Sequence, residues 1–367
     1  MKVNHETRFV GIDLGKRSYV IRLIDEKGKI TGWTGKTDPE SRKELYSRLK
    51  ATDTIAIEAG NMAFIMTEEF EKLTGNKIYN LCTRKLFDIY LTDKKTDKED
   101  ALKLAKFIKN HDEEDMPIVL PPTEDQKRQR KIISEYSSLQ KERVNKINRL
   151  HAVFEHCGLT DVKKNDLKYS KRRSEKIKLL TGYERTEADR LVEVIELLEK
   201  QSDELKVLME KEVEKSKPAQ IAKSVYGVGT VVGLSYVAVV GPVERYQNAA
   251  HVGSYLGFTP KVDCSSTIIK YGHISKHGNG YLRSLLVQSV WVIIRSKESN
   301  ALKDKYEYMV RNGKSKKKAV VAIARKLGEL IYTLIKNNDT YEPRRFTPPD
   351  SQISGLALEA LKASEVA

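Results

Sequence analysis

Leu191, Ile195, Leu198, Ser202, Leu205 and Met209 step along this chain by four, three, four, three and four residues. That rhythm is the heptad seam of a long helix, and a partner helix is needed to cover its apolar stripe. A looser stripe supplies one: Ile133, Tyr136, Leu139, Val144, Ile147 and Phe154, in a polar segment at about 124–156. "HCGLTDVKKNDLKYSKRR" between them reads as the turn. The pattern predicts a linker and an antiparallel coiled-coil arm over 116–215, opened by the proline-broken "MPIVLPPTEDQ" (116–126). The competing reading is a helical bundle packed on the N-terminal domain. In either case a helical insert separates the segment before it from the segment after it.

The segment before it, 1–115, alternates strands and helices. "RFVGIDLG" (8–15) and "YVIRLID" (19–25) are apolar runs, and "EKGKI" (26–30) supplies a turn that makes the pair a hairpin. "SRKELYSRLK" (41–50) is helical, "TIAIEAG" (54–60) a buried strand, "MAFIMTEEFEKL" a helix and "KIYNL" (77–81) a strand. "KKTDKEDALKLAKFI" (94–108) is a helix with Leu102, Ala105 and Ile108 at helical spacing and a capping box from Thr96 to Glu99. This is the element order of a ribonuclease H-like α/β domain, a sheet between helices. The segment after the insert, 216–346, is mainly helical: "VYGVGTVVGLSYVAVVG" (225–241), "GHISKHGNGYLRSLLVQSVWVIIR" (272–295, a loop running into a helix) and "KKKAVVAIARKLGELIYTLIK" (316–336). Residues 347–367 read as a disordered tail.

Charge separates the same segments. The net charge of +15 divides into +1 for 1–115, +3 for 116–215, +13 for 216–346 and −2 for the tail. A near-neutral domain joined to a strongly basic one points to a polyanion held mainly by the latter, with nucleic acid the default. Ribosomal-type RNA binding is the plain alternative, but such proteins rarely carry a neutral domain of this size. Cys82, Cys157 and Cys264 are too scattered for a disulfide framework or a zinc site and fit a reducing cytoplasm. No apolar run reaches the length of a membrane span, and nothing at the N-terminus reads as an export signal.

Four carboxylates stand at telling places. Asp13 in "VGIDLG" and Glu58 in "IAIEAG" end strands that lie side by side in such a fold. Both follow apolar residues at positions suited to burial, where an unpaired carboxylate is costly and wants a cation. Asp97 and Asp100, three apart in a first helical turn, leave one helix face. That pair can simply complement the helix dipole, or it can lean over the same groove. Four oxygen donors without histidine or cysteine suit Mg²⁺ or Mn²⁺ rather than zinc. Two such ions would flank a phosphodiester.

"VGIDLG", "IAIEAG" and "KKTDKEDALKLA" resemble the motifs of the DEDD transposases of bacterial insertion sequences, whose N-terminal domain is similar to the Holliday-junction resolvase RuvC. "YGVGTVVGLSYVAVVG", "YLGFTPK" and "GHISKHGNGYLRSLL" resemble that family's C-terminal transposase domain, so the likeness spans roughly 8–335. The resemblance implies a serine nucleophile between "GFTP" and "GHISKHGN", seven residues before Gly272, which is Ser265. Here "DCSSTIIKYG" carries Ser266 and Thr267 where the family often has glycines, and Ser266 remains a rival. It further implies donor and target DNA, a structured bridge RNA as guide, and an assembly of two to four copies with composite sites, at the nucleoid in a bacterial cytoplasm. Around the serine, Lys270, His273, Lys276, His277 and Arg283 crowd a loop and the first turn of a helix, where cations and backbone amides would cradle phosphate. Gly227 and Gly229 in "GVGTVVG" resemble a helix-hairpin-helix turn, although Gly-rich helix packing gives the same spacing. Two rival functions stand beside the transposase: a metal-dependent nuclease or junction resolvase with no covalent serine step, and a nucleic-acid-binding protein without cleavage.

Overall fold

Strands β1 (Phe9–Leu14) and β2 (Ser18–Ile24) pair antiparallel across a turn in which the Gly15 amide donates to the Ser18 carbonyl at 2.8 Å. The structure, a computed structural model, describes residues 7–82, 96–265, 268–298 and 300–344. It divides into two units, Met1–Thr123 and Glu124–Ala367. The turn at 26–30 does not join β1 to β2, as the sequence suggested. It leads from β2 to the short β3 (Ile30–Thr31), and β4 (Thr34–Lys36) also borders β2. After helix α1 (Pro39–Arg48), β5 (Thr54–Glu58) enters parallel to β1. After α2 (Asn61–Thr74), β6 (Ile78–Leu81) lies parallel to β5, giving the order β3-β2-β1-β5-β6.

Alternation along the strands divides their side chains between two layers. Val10, Ile12, Ile55 and Ile57 join Leu45 of α1 and Met66 and Phe70 of α2 in one core. Helix α3 (Asp97–Asn110) covers the other face, where Ala56 packs with Leu104, Phe107 and Ile108. Gly11 makes this approach possible, since a Cβ there would lie 2.0 Å from the Ala101 carbonyl oxygen. The edge strand β6 is not left open. The Cys82 amide donates to the Pro117 carbonyl at 2.9 Å, and the Val119 amide to the Asn80 carbonyl at 2.7 Å, so the start of the expected linker satisfies the sheet edge. The first unit is thus mixed α/β with helices on both faces of its sheet.

The second unit begins with α4 (Glu124–His156), which runs antiparallel to α7 (Gly182–Lys215). Gln140 reaches Ser202 at 2.9 Å, Arg143 reaches Glu199, Arg149 reaches Glu187 and Arg128 reaches Glu212. All six heptad residues of α7 are buried. The stripe on α4 departs from expectation at Val144, which is 49% exposed. There the seam is held by Gln140 and Arg143 instead. The connection between the pair is more than a turn: α5 (Lys164–Leu167) and α6 (Ser170–Ile177) place Leu167 and Ile177 against Leu150 and Phe154. Arg173 of α6 is wholly buried, donating to the Leu167 carbonyl and to Glu199, which also receives Arg143.

The remaining helices share one core. α8 (Lys217–Ser224) and α9 (Thr230–Val240) are joined by the turn carrying Gly227, and α10 (Ala249–Tyr255) follows. Strands β7 (Pro260–Ser265) and β8 (Ile268–Ile274) form a separate antiparallel ribbon. α11 (Gly280–Arg295), α12 (Ala301–Arg311) and α13 (Lys316–Asn337) close the unit around Tyr236, Leu256, Leu286, Ile323 and Leu327. The expected tail, 347–367, lies outside the described residues.

Candidate functional site

The first group of candidates lies at one end of the α/β sheet. The last register pair between β1 and β5 is Ile12 with Ile57. Asp13 and Glu58 are the next residue on each strand. Because neighbours along a strand face opposite sides, these two carboxylates leave the sheet on the face that α3 covers. Asp13 is half-buried and Glu58 exposed, so burial does not force a cation on Glu58 as the sequence argument supposed. The end of β5 lifts that side chain clear of the core.

Thr96 caps α3 by accepting from the Glu99 amide at 3.3 Å, and Asp97, Glu99 and Asp100 make up an acidic first turn. Asp97 is exposed. Asp100 is half-buried and accepts from Lys103 Nζ at 2.9 Å. The fold therefore brings Asp13 beside Glu58 and sets Asp97 and Asp100 on the helix that shares their face. Among the described residues, no three His, Cys, Asp or Glu side chains form a group that could hold a metal ion. In donor chemistry the four carboxylates fit a hard divalent cation such as Mg²⁺ or Mn²⁺.

The second group lies on and beside the β7–β8 ribbon, which the sequence read as a loop. Ser265 ends β7, in register with Ile268, and Ser266 lies outside the described residues. Lys270 and His273 on β8 are exposed, as are Lys276 and His277 beyond it. The segment 275–278 is clamped onto the loop after α10. The Ser275 amide donates to the Thr259 carbonyl at 2.7 Å, and the Lys276 amide to the Gly257 carbonyl at 3.1 Å. Gly278 makes the clamp possible: a Cβ there would sit 2.2 Å from the Tyr255 carbonyl oxygen. The closeness of these two segments accounts physically for Gly257 of "GFTP" and Gly278 of "GHISKHGN". Lys276 pays with a left-handed backbone, φ 56°.

Asn279 caps α11 by accepting from the Leu282 amide at 2.9 Å. Arg283 has a structural task, donating through Nη1 to the Leu256 carbonyl at 3.1 Å, and burial pulls its guanidinium below the ordinary range. Gly227 adopts φ 80° against Ile293, and Gly229 is the N-cap of α9. A concavity that sequence reasoning missed is lined by residues of α4, α9, α10 and α11, Arg130 and Ser235 among them. These positions are far apart in the chain, and no local motif announces them.

Comparison with known proteins agrees with both halves of the chain. A family model described as transposase, of the DEDD type, matches residues 10–158. The model described as transposase IS116/IS110/IS902 family matches 219–307. The transposase for insertion sequence element IS1111A of Coxiella burnetii is 23% identical over 350 residues, 92% of each chain. The pilin gene-inverting protein of Moraxella lacunata is 30% identical over 127 residues, 34% of this chain and 39% of that one. An IS110 insertion element protein of Streptomyces coelicolor is 25% identical over 124 residues, 34% and 30% of the two chains.

Proposed function

Since the chain belongs to the IS116/IS110/IS902 family of transposases, we propose that it cuts and rejoins DNA through a serine–phosphate intermediate, with Ser265 as nucleophile and Asp13, Glu58, Asp97 and Asp100 as the assisting carboxylates. The observation that carries the carboxylate half is the register of β1 and β5, which sets Asp13 beside Glu58 on the face shared with α3. The first unit is read as a RuvC-like domain because its strand order and helix placement suit one. The antiparallel pair α4–α7 is read as a coiled-coil arm on the strength of its buried heptad seam.

In the reaction Ser265 Oγ forms a bond to a DNA phosphorus while a deoxyribose oxygen leaves and takes a proton. The phosphoester to the serine conserves the bond energy for rejoining. The serine proton needs an acceptor, and this reading gives that role to the carboxylates. Mg²⁺ or Mn²⁺ held by those carboxylates would offset charge on the phosphate oxygens. Exposed Lys270, His273, Lys276 and His277 would hold the flanking phosphates. The name of the Moraxella relative supports the rejoining half, because an inverted gene segment must be resealed. The reading includes a structured guide RNA and an assembly of two to four copies, acting at the nucleoid; the +13 charge of 216–346 supports a polyanion partner. No described helix is long and apolar enough to cross a membrane.

A denaturing gel of labelled DNA tests the proposal. The parent should leave protein covalently attached to DNA, Ser265→Ala should not, and Ser266→Ala should. A covalent band from Ser265→Ala but not from Ser266→Ala moves the nucleophile by one residue. Cleavage that survives both changes without any covalent band makes the chain a metal-dependent nuclease or resolvase.

A further inference from the structure

A cavity of about 560 Å³ opens where α4 meets α9, α10 and α11, within the second unit. Arg130, Ser137 and Lys141 from α4 line one side, at helical spacing. Ser235 of α9, Tyr255 of α10 and Tyr281 of α11 line the other. No carboxylate is among its described lining residues. The Arg130 guanidinium is fixed by its Nε, which donates to the Ala238 carbonyl at 2.7 Å. Burial pulls that guanidinium below its ordinary range, and the positive charge of Arg245 pushes the same way. Arg245 itself lies 4.7 Å over the ring of Tyr255.

Two further observations point to a ligand. Ser235 is fully buried, and its Oγ has no hydrogen-bond partner, a deficit that a buried hydroxyl rarely carries. The half-buried Arg130 also faces this space with a backbone carbonyl and hydroxyls near it but no carboxylate among the described lining residues to offset its charge, and the exposed Lys141 adds a second cation at the rim. An anion with several acceptor oxygens answers both. It would take charge-assisted bonds from Arg130 and Lys141 and hydroxyl hydrogens from Ser137 and Ser235. A free carboxylate would answer the charge, but a phosphodiester also matches the chain's nucleic-acid substrate and a cavity far larger than a carboxylate needs.

We propose that this cavity, whose described lining includes neither Ser265 nor any of the four carboxylates, is a phosphodiester-binding site that anchors one nucleic-acid strand at the base of the α4–α7 pair. The identity of the strand rests on the transposase reading. The test reads binding alone, so its failure is distinct from failure of the serine chemistry.

The test measures full-chain binding by fluorescence anisotropy, across a salt series, to a single-stranded RNA, a single-stranded DNA and a duplex DNA of one sequence. Lys141→Gln should lower affinity for at least one probe about tenfold and flatten the log–log salt slope by about 1. Arg130→Gln should add to that loss, and the probe that loses most identifies the strand. Ser235→Ala should weaken binding of the same probe several-fold while the melting temperature holds or rises, because the change removes an unsatisfied buried hydroxyl. Lys211→Gln, on an exposed lysine of α7 outside the cavity, should leave the slope unchanged. Parental affinity for Ser235→Ala or Lys141→Gln on all three probes overturns the assignment. So does an equal loss from Lys211→Gln, which would mean diffuse charge rather than a site.

Discussion

Gly11→Ala separates the covering of the sheet by α3 from the carboxylate-positioning role proposed for it. The added Cβ would meet the Ala101 carbonyl oxygen at 2.0 Å and the Ala105 amide nitrogen at 2.6 Å, where side-chain carbons keep at least 3.0 Å. Both obstacles are backbone atoms of one helix, so no rotamer change relieves them and α3 must lift by about 1 Å. Overpacking of this kind costs about 2 kcal/mol, and in a unit of this size that lowers the melting temperature by roughly 8 °C. The lift carries Asp97 and Asp100 away from Asp13 and Glu58. A misplacement of about 1 Å at reacting groups costs on the order of 100-fold in rate. Recombination should therefore fall about that far at a temperature where the variant is still folded, while DNA affinity holds. Met66→Ala is the control, since it empties the opposite face of the sheet at a cost of about 2–5 kcal/mol without touching α3. Parental rate in folded Gly11→Ala, or an equal rate loss in Met66→Ala, would refute the positioning role.

Other outcomes can be checked more simply. Recombination by the parent should stop in chelator and return with Mg²⁺ or Mn²⁺, and Asp97→Asn should lose the covalent DNA product although Ser265 is intact; a chelator-resistant covalent band contradicts both. Burial pushes the Glu199 carboxyl up, but hydrogen bonds from Arg173 and Arg143 outweigh it and hold it below its ordinary 4.5. A depressed carboxyl stabilises the fold above the unfolded pKa and loses that contribution as pH falls through the folded one. The α4–α7 pair should thus weaken in circular-dichroism melts below about pH 4.5. Glu199→Gln should destabilise it at pH 7 by about 3 kcal/mol, because Arg173 is left buried without its partner. A melt unchanged by the substitution would show that Arg173 finds another acceptor. Affinity for nucleic acid should fall about 1000-fold between 50 and 200 mM salt if six or more phosphates are held, and a loss under twofold would rule out a phosphate-dominated interface.

The parts of this fold that were legible in the sequence are those with a period. The seam of α7 and the runs that became β1, β5 and β6 announce themselves because burial on one side or both leaves a repeating apolar pattern. The adjacency of Asp13 and Glu58 followed from strand order. The β7–β8 ribbon stayed hidden for the converse reason: among its side chains whose burial is described, Val262 is 53% exposed and Lys261, Lys270 and His273 are exposed, so these positions write no apolar alternation into the sequence. Pairing of residues 117–119 with β6 was hidden by the three prolines around it, which read as a break. On α4, Val144 looked like part of the stripe, yet there Gln140 and Arg143 are the residues that meet Ser202 and Glu199. The hydrogen bond from Arg283, read as a phosphate ligand, to the Leu256 carbonyl stayed hidden because it joins segments that no local motif links.

The cross-links between α4 and α7 make the pair a ruler with fixed graduations. Arg143 and Glu199, Arg128 and Glu212, and Arg149 and Glu187 are matched across two chains running in opposite directions. Inserting residues into one helix alone slides the partners beyond the insertion out of register, and any number that is not a multiple of seven also turns the apolar seam away from its partner. Length can change only by equal additions to both helices, and only in sevens, each lengthening the pair by about 10.5 Å. Transposases built on this plan should therefore differ in reach by discrete steps, and a variant with seven residues added to each helix should fold where one with four does not.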